Sequence, residues 1–142
     1  MSPLPPEQAG TVGAPSIVVT VRFVTEALES LQTLGLAVVQ RGAVAGGWLV
    51  GVGADSVSLG FDESSLEEAV EMCTELLGGR PAELAFGIGY APIVPLRADG
   101  GFERLSLGPG VARAHALARV AREGEILVER ASPFVMNGTL LS

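Results

Sequence analysis

Between Ser64 and Gly79 the chain carries two overlapping helix starts, Ser64-x-x-Glu67 and Ser65-x-x-Glu68. An apolar stripe follows at Leu66, Ala69, Val70, Cys73, Leu76 and Leu77, and Gly78-Gly79 closes it. In such a start the serine hydroxyl takes a backbone N–H three residues on, while the glutamate reaches back to the first residue. The stripe recurs at helical spacing, and glycine allows the left-handed turn that ends many helices. A helix is predicted here. Its setting constrains the fold most, because the segments on both sides carry strand patterns rather than helical ones.

On the N-terminal side Val57, Leu59 and Phe61 alternate strictly, after Trp48, Leu49, Val50 and Val52 and the turn material Gly53-Ala54-Asp55-Ser56; a β-hairpin is predicted from Val44 to Phe61. Earlier, the β-branched run from Ile17 to Val24 predicts a central strand buried on at least one face. Between them, Leu28, Leu31, Leu34 and Leu36 predict one short helix from Thr25 to about Gln40, with Gly35 as its break or cap. On the C-terminal side Leu84, Phe86, Ile88 and Tyr90, then Ile93, Val94 and Leu96, predict a second hairpin or a bent strand. Pro92 and Pro95 there belong at an edge or turn. Past the turn at 98–101, Pro109 suits a first helical position, and Val111, Ala114, Leu117, Ala118 and Ala121 predict a last helix ending at Gly124. Glu125 to Glu129 reads as a short strand. The order β α ββ α ββ α β points to an α+β chain with a ferredoxin-like core: a mostly antiparallel sheet with helices packed on one face.

Residues 1–15, rich in proline and glycine, read as a flexible leader, 16–132 as one domain and 133–142 as a tail without a period. A chain of 142 residues can bury a single core. The net charge of −7, with no Lys/Arg cluster interleaved with aromatics, argues against nucleic acid as a partner. No apolar run reaches the roughly 18 residues that span a bilayer, no basic leader suggests secretion, and a lone cysteine, Cys73, forms no intramolecular disulfide. A cytoplasmic location is expected, with no membrane and no cofactor. Neither Gly51-Val-Gly53 nor Gly87-Ile-Gly89 leads into a helix start, so both read as strand and turn glycines rather than phosphate loops.

Four segments, spanning roughly 16–132, resemble the class III adenylate and guanylate cyclase domain. Val19 to Thr25 is similar to the first strand of that family, which ends in a metal-binding aspartate; Thr25 stands in its place. Gly53 to Phe61 resembles the hairpin that presents the second metal aspartate, and Asp55 is retained there. Phe86 to Val94 resembles the family's Gly-Ile-His-x-Gly strand and turn with the histidine and the second glycine replaced. Gly108-Pro109-Gly110-Val111, the alanine-rich helix and Gly124 to Val128 resemble the helix bearing the asparagine and arginine that orient ribose and stabilise the transferring phosphoryl group. Ala112 and Ala116 stand at those positions, and Glu103 falls near the acid that often reads the purine.

The resemblance implies a ferredoxin-like core and a site built across a dimer. The replacements imply a pseudo-enzyme. Cyclisation needs two divalent ions on hard oxygen ligands, and one carboxylate does not readily hold both. Loss of a phosphate-directed arginine costs on the order of 10³-fold by analogy with phosphoryl transfer. Arg113 projects from another face of the helix, and Arg119 is the other cation that could substitute. The expected function is a non-catalytic regulatory or protein-interaction module of a signalling system, working as a homodimer or as a heterodimer with another signalling protein. A nucleotide sensor without turnover, contacting its ligand through Asp55 or Glu103, is the alternative, and an enzyme of other chemistry the third reading. Beside those roles, Asp55 also reads as a turn residue bonding nearby amides, Glu103 as a solvent-facing acid, His115 as a helix-surface or interface residue and Cys73 as a small core hydrophobe. Trp48 and Tyr90 suit either core or interface.

Overall fold

A computed structural model describes residues 15–79, 83–92, 94–98 and 102–129. The leader and tail read from the sequence lie almost wholly outside these residues. Strand β1 (Pro15–Phe23) is followed by helix α1 (Leu28–Val44), the hairpin β2 (Trp48–Val52) and β3 (Ser56–Asp62), and a short 3-10 turn at Glu63–Ser65. Helix α2 (Leu66–Gly79), strands β4 (Leu84–Pro92), β5 (Val94–Ala98) and β6 (Phe102–Leu107), helix α3 (Pro109–Val120) and strand β7 (Ile126–Val128) complete the order.

Five strands form one sheet in the order β2-β3-β1-β4-β7, antiparallel at every pair except β4 with β7, while β5 and β6 pair separately. The alternation of β1 sorts its side chains to two faces. Ile17, Val19, Val21 and Phe23 join the main core with Leu34 and Val38 of α1, Leu66, Ala69, Met72 and Cys73 of α2, and Phe86 and Ile88 of β4. Val18 faces the other way, packing with Ala114 of α3 beside Trp48 and Val111. The α+β class and the mostly antiparallel sheet follow the sequence reading. Helices on one face holds for α1 and α2, whereas α3 covers the opposite face.

The reason α3 can lie there is the lack of side chains beneath it. A Cβ on Gly87 would strike the backbone of Ala114 and Ala118, and one on Gly89 would sit 2.8 Å from the Ala114 nitrogen. Glycine on the strand and alanine on the helix therefore allow backbone to approach backbone, so these are strand glycines with a packing purpose. Gly108, at φ 133°, makes the left-handed entry that Pro109 then converts into helix.

Two segments differ from expectation. Helix α1 runs unbroken through Gly35, and its contact face is Leu31, Leu34, Val38 and Gly42, while Leu28 and Leu36 are exposed by 81% and 56%. The leucine spacing was right for a helix, but only Leu31 and Leu34 of the four lie on its buried face. Downstream, of the hairpin and the bent strand read for this segment, the hairpin is the one not formed: Val94–Ala98 pairs with β6, a strand that the sequence reading did not include. Among the described residues, no helix is long and apolar enough to cross a membrane.

Candidate functional site

The hairpin turn, the end of β1 and the last turns of α3 meet at one end of the sheet. The Phe23 N–H donates to the Asp55 carbonyl at 2.8 Å, and the Gly53 N–H donates to Ser56 at 2.8 Å, which fixes the turn against the end of β1. From α3, Arg119 Nη1 donates to Asp55 Oδ2 at 2.8 Å, an ion pair between side chains 51% and 36% exposed. Arg22, half-buried on β1, donates through Nε to Ala118 O at 2.8 Å and through Nη2 to Ala121 O at 2.7 Å. A cation on the free carbonyls at a helix C-terminus is favoured by both hydrogen bonding and the helix dipole. Beneath it Thr20 and Ser58 share a buried hydroxyl hydrogen bond of 2.8 Å, each satisfying the other.

Thr20, Arg22, Asp55 and Arg119 line a shallow, open hollow together with Ser56, His115 and Ala118. Ligand sites for small molecules are enclosed clefts, and this hollow alone is too slight to enclose a nucleotide. Among the described residues lining it, Asp55 is the one carboxylate, and Arg22, Arg119 and His115 are the basic groups.

The structure brings together only some of the residues singled out from sequence. Asp55 is at the hollow and is both a turn residue and an ion-pair partner. Thr25 lies past the end of β1, where its Oγ1 accepts the Ala27 N–H at 3.1 Å ahead of α1. Ala112 and Ala116 are exposed on α3. Glu103 is on β6, in the separate two-stranded sheet. Arg113 is directed elsewhere: its Nη1 donates to Glu129 Oε2 at 3.1 Å and to Tyr90 O at 3.4 Å. His115 is exposed, one turn before Arg119. Trp48 packs over Gly60 and beside Val18 and is partly buried. Arg22 and the Thr20–Ser58 pair escaped the sequence reading. The available signal was a single arginine inside a mostly apolar strand, since a cation drawn partly out of water demands a partner.

The donor set does not suit the divalent ions that the resemblance implies. Among the described residues no three His, Cys, Asp or Glu side chains gather in one place. The carboxylate that is present already faces a guanidinium.

No protein-family model matches the sequence, and no curated protein matches it. Comparison with solved structures is informative. A dimeric guanylyl cyclase domain of the RhoGC fusion protein from the aquatic fungus Blastocladiella emersonii aligns with a TM-score of 0.67 at 13% identity, over 82% of this chain and 79% of that one. The guanylate cyclase domain of RhGC from Catenaria anguillulae, in complex with GTP, aligns with a TM-score of 0.62 at 14% identity, over 80% and 77%. The catalytic core of a rhodopsin-guanylyl cyclase with converted specificity, in complex with ATPαS, aligns with a TM-score of 0.67 at 11% identity, over 82% and 77%. With the sheet order and the helices on both faces, these alignments identify the fold of the chain as that of the class III adenylyl and guanylyl cyclase domain.

Proposed function

We propose that the chain is a non-catalytic regulatory module that uses the cyclase fold to associate with a second copy of itself or with another signalling protein. The observation that carries this reading is the Asp55–Arg119 ion pair, which commits the retained carboxylate of the hairpin to a cation of its own chain. Three replacements support it: Thr25 at the end of β1, and Ala112 and Ala116 on the exposed side of α3. Without a second carboxylate and without a phosphate-directed arginine, charge building up on a triphosphate has too few counter-charges.

A second reading, a nucleotide sensor without turnover, draws on the basic groups around the hollow. Two arginines and His115 against one carboxylate favour an anion, and the small hollow would need a partner surface to complete a pocket.

The purified chain, incubated with ATP, GTP or cyclic nucleotides and Mg²⁺ or Mn²⁺, is expected to yield no cyclic product. Light scattering is expected to give twice the 14.6 kDa of one chain for the self-associating form. A rise in melting temperature without product would favour the sensor, and robust cyclic product would overturn the non-catalytic reading.

A further inference from the structure

Among the described residues, every chargeable group that lines the hollow beside Asp55 is basic. Arg119 is at 2.8 Å, Arg22 is held in place by its two bonds to the α3 carbonyls, and His115 lies one turn before Arg119. A divalent cation approaching Asp55 would have to displace one guanidinium and then sit beside another, with no second carboxylate among the described lining residues to offset the repulsion. An ion pair this exposed contributes little to stability, so its main consequence is for what the carboxylate can bind. Its partners come from the hairpin turn and from α3, 64 residues apart in sequence.

We infer that Arg119 is a built-in counter-ion, taking at Asp55 the place that a divalent cation takes in a metal-using site. The hairpin turn and α3 are thereby joined by a tethered charge, and the hollow excludes free metal ions. The inference rests on the non-catalytic reading but can fail separately from it.

The test is Mn²⁺ titration of the whole chain without nucleotide, followed by calorimetry and by thermal shift. The wild type and Arg119→Lys, which keeps the charge, are expected to show no saturable binding. Arg119→Ala is expected to gain a weak response. Thr25→Asp combined with Arg119→Ala is expected to bind roughly tenfold or more tighter than Arg119→Ala alone, reversibly with EDTA. Thr25 suits the second carboxylate because it lies two residues beyond the Phe23 N–H that holds the Asp55 carbonyl. Asp55→Asn added to that pair is expected to abolish the gain. Mn²⁺ binding by the wild type that disappears in Asp55→Asn would overturn the counter-ion role. So would a folded Arg119→Ala that stays as indifferent to Mn²⁺ as Arg119→Lys. Asp55-dependent Mn²⁺ binding without cyclic product would remove this inference alone, whereas cyclic product would remove the functional reading beneath it.

Discussion

A methyl group added at Gly87 and one added at Gly35 should have opposite effects. At Gly87 it would meet the main chain of Ala114 and Ala118, which cannot rotate away, so Gly87→Ala is expected to cost about 1–3 kcal/mol as α3 is pushed off the sheet. At Gly35, within α1, it would meet nothing within 4 Å, and Gly35→Ala is expected to stabilise by roughly 0.5–1 kcal/mol through helix propensity. Urea denaturation midpoints of the two variants check both signs. The sequence identified Gly87 as a strand glycine, because its neighbours Phe86 and Ile88 alternate around it. What presses on it was not visible, since the Gly87–Ala114 approach depends on which face α3 covers. Asp55 shows the same division. Its turn was legible from Gly53-Ala54-Asp55-Ser56, but its partner Arg119 becomes apparent only once the hairpin and α3 meet in space.

Among the elements, α2, α3 and the β2–β3 hairpin were legible because start signals, periodicity and turn residues agree locally. Helix α1 was less so, since Leu28 and Leu36 mimic a core stripe that the fold leaves in water. Strand β6 was missed because polar residues interrupt Phe102–Leu107, and its pairing with β5 leaves no run of alternation to detect. The end of α3 depends on a residue from another element. Arg22 caps the carbonyls of Ala118 and Ala121, and hydrogen bonds from a charged donor are worth about 1.5–3 kcal/mol. Arg22→Met is therefore expected to cost about 2 kcal/mol, at the low end because Arg22 is only half-buried. Amide exchange should show protection lost first in the last turn of α3, while α2 keeps its own.

For the whole molecule, Cys73 offers an internal reporter. It is fully buried against the sheet, and burial pushes its thiol well above the ordinary range. Because the folded thiol keeps its proton to higher pH than the unfolded one, its contribution to stability is intact below the ordinary thiol value and declines as pH rises beyond it. Iodoacetamide at pH 8 is expected to label Cys73 only as fast as the chain opens, so labelling should accelerate sharply in urea and, without urea, as the solution becomes alkaline. Labelling at the rate of a free thiol in the folded chain would contradict the core as described. The far edge of the sheet has a different safeguard. After the Glu129 N–H donates to Ile88 at 2.9 Å, the next acceptor for β4 is not a main-chain carbonyl but the Glu129 carboxylate, which takes the Tyr90 N–H at 3.0 Å and is itself held by Arg113. A side chain thus stands where another rung of the ladder would be. A stray strand reaching for β4 beyond the end of β7 would have to evict that carboxylate from its arginine before it could zip on there.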